Sequence, residues 1–116
     1  MNMLTEFTTT EDIIISIIKS HKDFSNAINQ YDIAGEFMYT QEKHITTRKV
    51  RRIIERLIEL GCPVISTPHY PGGYCWGGAD GEALICYRRL RRKGIKILIR
   101  ARRILRNCEK GQEELF

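Results

Sequence analysis

Residues 46–61 carry a complete set of signals for one amphipathic helix. Thr46 is a favourable N-cap, and Ile45 and Val50 occupy the two positions that form a hydrophobic staple across it. Gly61 stands where a glycine most often ends a helix. Helical spacing separates an apolar side (Val50, Ile53, Ile54, Leu57, Ile58 and Leu60) from a charged side (Arg48, Arg51, Arg52, Glu55, Arg56 and Glu59). One side is therefore expected to pack, and the other is free to bind.

Two short β-prone runs follow this helix. Pro63 to Thr67 and Tyr74 to Trp76 both favour strands, and His69 to Gly73 between them supplies turn residues. The sequence predicts a β-hairpin here.

Two further helices are predicted ahead of residue 46. Thr10 can cap the first, which runs to about Ser20, and Asn29 can cap the second. The isoleucines at positions 13, 14, 17 and 18 form the buried face of the first, and the second carries Tyr31, Ile33, Ala34 and Phe37. Residues 1–9 are expected to be a flexible N-terminus, and residues 27–28 a very short strand.

A long amphipathic helix is predicted from a cap at Asp80 to about Asn107. Its apolar face consists of Tyr87, Leu90, Gly94, Ile97, Leu98, Ala101, Ile104 and Leu105. Nearly every Lys and Arg lies on the other face, together with Ile95 and Ile99. Residues 108–116 show no helical pattern and are expected to form a mobile tail.

Positive charge is concentrated in this last helix. Residues 88–106 contain ten Lys and Arg and no Asp or Glu, in a chain of net charge +5. A stripe of uncompensated cations is the usual footprint of a polyanion site, and nucleic acid is the leading candidate. The alternative is an ordinary solvated helix face.

Length and composition favour one α+β domain, mostly α, in the cytoplasm. The 116 residues are enough for a single core, and 42% of them are hydrophobic. No apolar run approaches the roughly 20 residues of a membrane span, and no export signal precedes the first helix. The four cysteines are therefore expected to be reduced.

No catalytic or metal-binding arrangement emerges from the sequence. No two of the cysteines (Cys62, Cys75, Cys86 and Cys108) have the short spacing of a structural zinc site. The histidines stand apart from any pattern of a hydrolytic site. We expect a protein that is not an enzyme and that binds no metal or cofactor.

The order of these elements resembles a winged helix-turn-helix. Residues 45–57, the Leu60-Gly61-Cys62-Pro63-Val64-Ile65 run and Gly73-Tyr74 are similar to the small DNA-binding proteins of this type in bacteriophages and prophages. The resemblance covers most of residues 10–107. The connection from Met38 to His44 is longer than the usual turn of that family and contains no glycine.

The resemblance implies that residues 47–60 form a recognition helix for double-stranded DNA. Its expected contacts are Thr46, Thr47, Arg48, Arg51, Arg52 and Arg56. The wing would extend from Thr67 to Tyr74, with His69 and Tyr70 at its tip. The long helix would add Arg88, Arg92, Lys96 and Arg103 as phosphate contacts.

The last five residues, Gln112-Glu113-Glu114-Leu115-Phe116, resemble the Gln-x-x-Leu-Phe peptides that dock on the bacterial DNA polymerase sliding clamp. Leu115 and Phe116 would enter an apolar pocket while the Gln112 amide forms a hydrogen bond at its rim. A chance match, or a fold-back of Leu115 and Phe116 onto the body, is the alternative.

The functional hypothesis is a phage-type DNA-binding protein linked to replication through the host sliding clamp. One alternative is a transcriptional regulator that forms a homodimer through the long helix. Another is a phage-encoded inhibitor whose basic face covers a host nucleic-acid enzyme. The sequence leaves open whether the apolar face of the long helix packs on its own core or on a second subunit.

Overall fold

The computed structural model describes residues 8–115, with side chains through residue 111. In chain order the elements are α1 (Thr9–Lys19), one 3₁₀ turn (Phe24–Asn26), α2 (Gln30–Gln41), α3 (Thr47–Glu59), β1 (Val64–Thr67), β2 (Gly73–Trp76) and α4 (Glu82–Leu115). The α+β class with mostly helical content is confirmed. The chain divides into two compact units, Met1–Ala83 and Leu84–Phe116.

The first helix begins earlier than its sequence pattern predicts. Thr8 is the N-cap: its hydroxyl accepts the Glu11 N–H at 3.2 Å, and the Glu11 carboxylate accepts the Thr8 N–H at 2.9 Å. The predicted cap at Thr10 is wrong because this reciprocal capping box places Thr10 inside the first turn. The buried face consists of Glu11, Ile14, Ile15 and Ile18.

The second helix is capped by Asn29, as predicted, since the Asn29 side chain accepts the Asp32 N–H at 2.9 Å. It continues through Gln41, so most of the supposed long connection is helix. Glu42 ends it in the left-handed conformation at φ 55° and takes the place that glycine often holds. Only a short extended segment then leads to the cap of α3.

The prediction for the third helix is confirmed at both ends. The Thr46 hydroxyl accepts the Lys49 N–H at 3.1 Å, and Gly61 follows the last turn with a φ of 98°. The four residues Val50, Ile53, Ile54 and Leu57 are buried. Ile45 and Val50, the two members of the predicted staple, both belong to the hydrophobic core.

The predicted hairpin is an antiparallel pair in which Val64 lies opposite Trp76 and Thr67 opposite Gly73. Ile28 adds a bridge to Tyr74 through two backbone hydrogen bonds of 2.7 and 2.9 Å. Gly73 is required there: a Cβ on it would lie 2.2 Å from the Ile28 carbonyl oxygen. The predicted strand at residues 27–28 is thus reduced to this one bridge.

The fourth helix differs from its prediction at both ends. It begins at Glu82, not after a cap at Asp80, and the Glu82 carboxylate accepts the N–H groups of Ala79 and Phe24 at 2.8 and 3.0 Å. At the other end the helix continues past Asn107 to Leu115, so residues 108–115 are helical. Among the described residues, none of the helices combines the length and the apolar composition of a membrane span.

The core of the first unit lies between its three helices and the hairpin. Its central residues are Ile14, Ile18, Ile28, Ile33, Phe37, Ile45, Val50, Ile54, Leu57 and Val64, with Tyr74 and Trp76 packed against them. This packing fixes α3 with its charged side outward.

Candidate nucleic-acid interface

The charged side of α3 is a surface of exposed arginines. Arg48, Arg51 and Arg52 are exposed, whereas the opposite side of the helix is buried in the core. None of these three guanidinium groups makes an ion pair with the side chains described for residues 8–111. The acidic members of this side, Glu55 and Glu59, lie in the second half of the helix. The cations therefore dominate its N-terminal half.

The N-terminus of α3 adds free backbone donors beside these arginines. Thr46 accepts the Lys49 N–H through its hydroxyl and the Val50 N–H through its carbonyl. The Thr47 and Arg48 N–H groups have no acceptor among the described residues. Backbone N–H groups and the positive end of the helix dipole attract a phosphate at such a position. Thr46 is thus the N-cap of α3 and Thr47 its first residue.

Arg56 is engaged differently from the other arginines of α3. Its Nε donates to the Glu11 carboxylate of α1 at 2.5 Å, and Glu11 is only 4% exposed. Burial acts to raise the pKa of Glu11, but the Thr8 N–H and the Arg56 guanidinium outweigh it and lower the pKa. Arg56 therefore anchors α3 to α1, a partnership that the sequence pattern does not reveal.

The hairpin places its two predicted tip residues in solvent. His69 and Tyr70 are both exposed, and Tyr70 is 98% exposed. The aromatic residues of β2 are instead partly buried: the Lys19 ammonium lies 5.1 Å from the ring centre of Trp76, and Tyr74 packs against the core. The fully exposed aromatic ring of the hairpin is therefore Tyr70 at its tip.

The Tyr74 side chain of the hairpin lies close enough to the charged side of α3 to be influenced by its charges. Burial raises the pKa of the Tyr74 phenol, the positive charge of Arg51 acts to lower it, and the negative charge of Glu55 acts to raise it. The strand that leaves the tip is therefore within electrostatic reach of α3.

The second unit presents the basic stripe in solvent. Its ten cations are Arg88, Arg89, Arg91, Arg92, Lys93, Lys96, Arg100, Arg102, Arg103 and Arg106. All are exposed except the half-buried Arg89. The four predicted phosphate contacts on this helix, Arg88, Arg92, Lys96 and Arg103, are thus accessible.

A groove beside the N-terminus of α3 was not expected from the sequence. It is lined by Tyr31 and Met38 of α2 and by His44, Ile45 and Thr47. The available sequence signal was Tyr31, a large aromatic residue on a helix with a weak apolar pattern. In the structure Tyr31 is 68% exposed. His44 gave no signal beyond its position two residues before the N-cap Thr46.

No group of three or more His, Cys, Asp or Glu that could hold a metal ion is present in the described part of the chain. The candidate features of the first unit are the exposed arginines of α3, the free N–H donors at its N-terminus and the hairpin tip. In the candidate clamp peptide, the backbone of residues 112–115 belongs to α4, and the side chains of Gln112 and Leu115, and the whole of Phe116, lie outside the described residues. Comparisons with family models, with curated proteins and with solved structures find no match to this chain.

Proposed function

We propose that this protein binds double-stranded DNA through the N-terminal half of α3. The observation that carries the proposal is the set of three exposed arginines, Arg48, Arg51 and Arg52, on a helix whose other side is fixed in the core. Arginine can bond to the guanine edge in the major groove with two hydrogen bonds or can clamp a phosphate.

A winged helix-turn-helix is the fold that we propose for the first unit. The support is the order α1, Ile28 bridge, α2, α3 and hairpin, with a short connection from Glu42 to Thr46. In this arrangement α3 is the recognition helix and the hairpin is the wing. His69 and Tyr70 then contact the DNA beside the groove.

The basic stripe of α4 supplies further phosphate contacts in this proposal. Such contacts position a protein on the duplex without reading sequence, and they provide much of the affinity. The uncompensated charge of residues 88–106 fits that role, because like charges on one helix repel each other until an anion binds.

The test is a titration of a fluorescent duplex with the wild-type chain and with Arg48→Ala/Arg52→Ala. We expect the double variant to bind at least about tenfold more weakly, since each lost contact to a base or phosphate is worth on the order of 1 kcal/mol or more. Lys22→Ala/Lys110→Ala is the matched control, because it removes the same charge outside α3 and the basic stripe. Equal weakening by both variants would contradict a role of α3 beyond net charge.

The C-terminal Gln-x-x-Leu-Phe sequence supports a second part of the proposal, docking on the bacterial sliding clamp. We expect Leu115→Ala/Phe116→Ala to abolish clamp binding and to leave DNA binding unchanged, because the two apolar side chains supply the anchor. Glu113→Gln/Glu114→Gln is the control in the same segment. Clamp binding by the Leu115→Ala/Phe116→Ala variant would exclude this docking mode.

Two other functions are outcomes of the same titrations. A palindromic DNA site without clamp binding would identify a transcriptional regulator. No affinity for DNA at physiological salt, together with tight binding to a host nucleic-acid enzyme, would identify an inhibitor that uses the basic face.

A further inference from the structure

The apolar face of α4 is exposed to solvent. Six large side chains on it, Tyr87, Leu90, Ile97, Leu98, Ile104 and Leu105, are between 51% and 64% exposed. Single exposed apolar residues are common, but a continuous stripe of this length on a soluble domain usually marks an interaction surface.

This face follows a seven-residue repeat with two different layers. Gly94, Ala101 and Cys108 recur at intervals of seven, and Leu90, Ile97 and Ile104 recur at the same interval between them. In heptad notation the three small residues occupy position a, which Tyr87 holds at the start of the seam, and Leu90, Ile97 and Ile104 occupy position d. A heptad repeat of apolar residues is the pattern by which two helices pack along a common seam.

Gly94 has no neighbour in the described part of the chain that would require a glycine. A Cβ on Gly94 would meet no atom within 4 Å among the described residues, and the residue lies in the interior of α4. Glycine there weakens the helix by about 1 kcal/mol relative to alanine. A glycine at this position would allow a second helix to approach the small residues of the seam closely, which would offset that cost.

The heptad positions of the ten cations favour a parallel pair of identical helices over an antiparallel one. Seven of the ten lie at positions b, c and f, which point away from it. In a parallel pair of identical helices, Lys93 and Arg100 at position g face Leu98 and Leu105 at position e of the second copy. Arg91, the remaining cation beside the seam, lies at position e, one heptad before Leu98. In an antiparallel pair, position g of one copy faces position g of the other, so Lys93 and Arg100 would lie opposite cations and be repelled.

The apolar area is also of the size that a dimer needs. Six large side chains at this exposure offer on the order of 600 Å² per copy, and each partner in a standard interface buries about 800 Å². The small residues and the aliphatic stems of the flanking cations add to this surface.

We propose that α4 pairs with α4 of a second copy of this chain, parallel and in register, along the seam of residues 87–108. The pairing leaves the b, c and f cations of both copies in solvent. This pairing does not depend on DNA binding, and the dimer can be measured in the absence of DNA.

The test of pairing is sedimentation equilibrium of the full chain over a dilution series. We expect a mass of twice 13.5 kDa, and a roughly 100-fold rise in the dissociation constant for Ile97→Gln/Ile104→Gln, because each lost apolar contact counts in both copies. Ile95→Gln/Ile99→Gln is the matched control: it alters two exposed isoleucines of the same helix outside the seam. A monomer at every concentration, or equal weakening by the control, would overturn the proposal.

The register is tested by oxidation. In a parallel pair, Cys108 of one copy faces Cys108 of the other, so an added diazenedicarboxamide can take up the two electrons and two protons released as the disulfide forms. With Cys62→Ser in the background, we expect a covalent dimer that is lost on Cys108→Ser. A dimer that forms no such cross-link would overturn the parallel register.

Discussion

The contact between Glu11 and Arg56 joins the first turn of α1 to the last turn of α3. Glu11 serves two purposes there, since one carboxylate oxygen closes the capping box with Thr8 and the other accepts from Arg56. The group is almost completely buried, so its charge is tolerated only while both donors are present. The contact thereby helps to hold the arginine-bearing side of α3 outward.

This arrangement makes part of the stability of the first unit dependent on pH. Because the pKa of Glu11 is lowered on folding from its ordinary value of 4.5, its contribution is complete above that value and is lost as the pH falls through the folded pKa. We expect Glu11→Gln to lower the free energy of unfolding by about 1 kcal/mol at neutral pH and to reduce the loss of stability on acidification. Urea unfolding at a series of pH values measures both effects.

Glutamine is the informative substitution because its side-chain oxygen can still accept the Thr8 N–H and preserve the capping box. Glu59→Gln is the control, since Glu59 is exposed and makes no ion pair among the described side chains. The same acid sensitivity in Glu11→Gln and in the wild type would show that the Arg56 pair has no part in it.

The helix α3 and the hairpin could be predicted from signals in neighbouring residues alone. Thr46, Gly61 and the glycine-rich turn each act on their immediate neighbours, so their effect can be predicted from a few adjacent residues. The start of α1 was misplaced because both Thr8 and Thr10 precede acidic residues, and only the reciprocal bonds of Thr8 with Glu11 distinguish them. The bridge at Ile28 depends on a strand 46 positions later in the chain, which no local pattern encodes.

Both ends of α4 were also mispredicted, because neighbouring residues alone do not determine them. Asp80 is a good cap by residue type, but Glu82 forms the hydrogen bond to the distant Phe24 N–H and begins the helix. Residues 108–115 lack a continuous apolar face of their own, yet they extend a helix that already exists, which requires no new nucleation. For the candidate site, the exposure of Arg48, Arg51 and Arg52 could be predicted from the sequence, whereas the ion pair of Arg56 with Glu11 could not.

In the whole molecule, the proposed DNA binding and the proposed pairing use different sides of α4. The seam uses positions a, d and e of α4, and the cations proposed to meet phosphates, Arg88, Arg92, Lys96 and Arg103, lie at positions b, c and f. A parallel pair doubles this basic surface and attaches both copies of the first unit to the same end of the helix pair. Substitution of these four cations therefore separates the two properties.

We expect the Arg88→Gln/Arg92→Gln/Lys96→Gln/Arg103→Gln variant to bind DNA with a weaker dependence on salt. Each lost phosphate contact reduces the slope of log affinity against log salt by about 0.9, so loss of all four reduces it by about three to four units. Affinities measured at several salt concentrations give the slope, and sedimentation should give the wild-type mass because the seam is intact. An unchanged slope would remove the basic stripe from the DNA interface and leave an acidic protein surface as its expected partner.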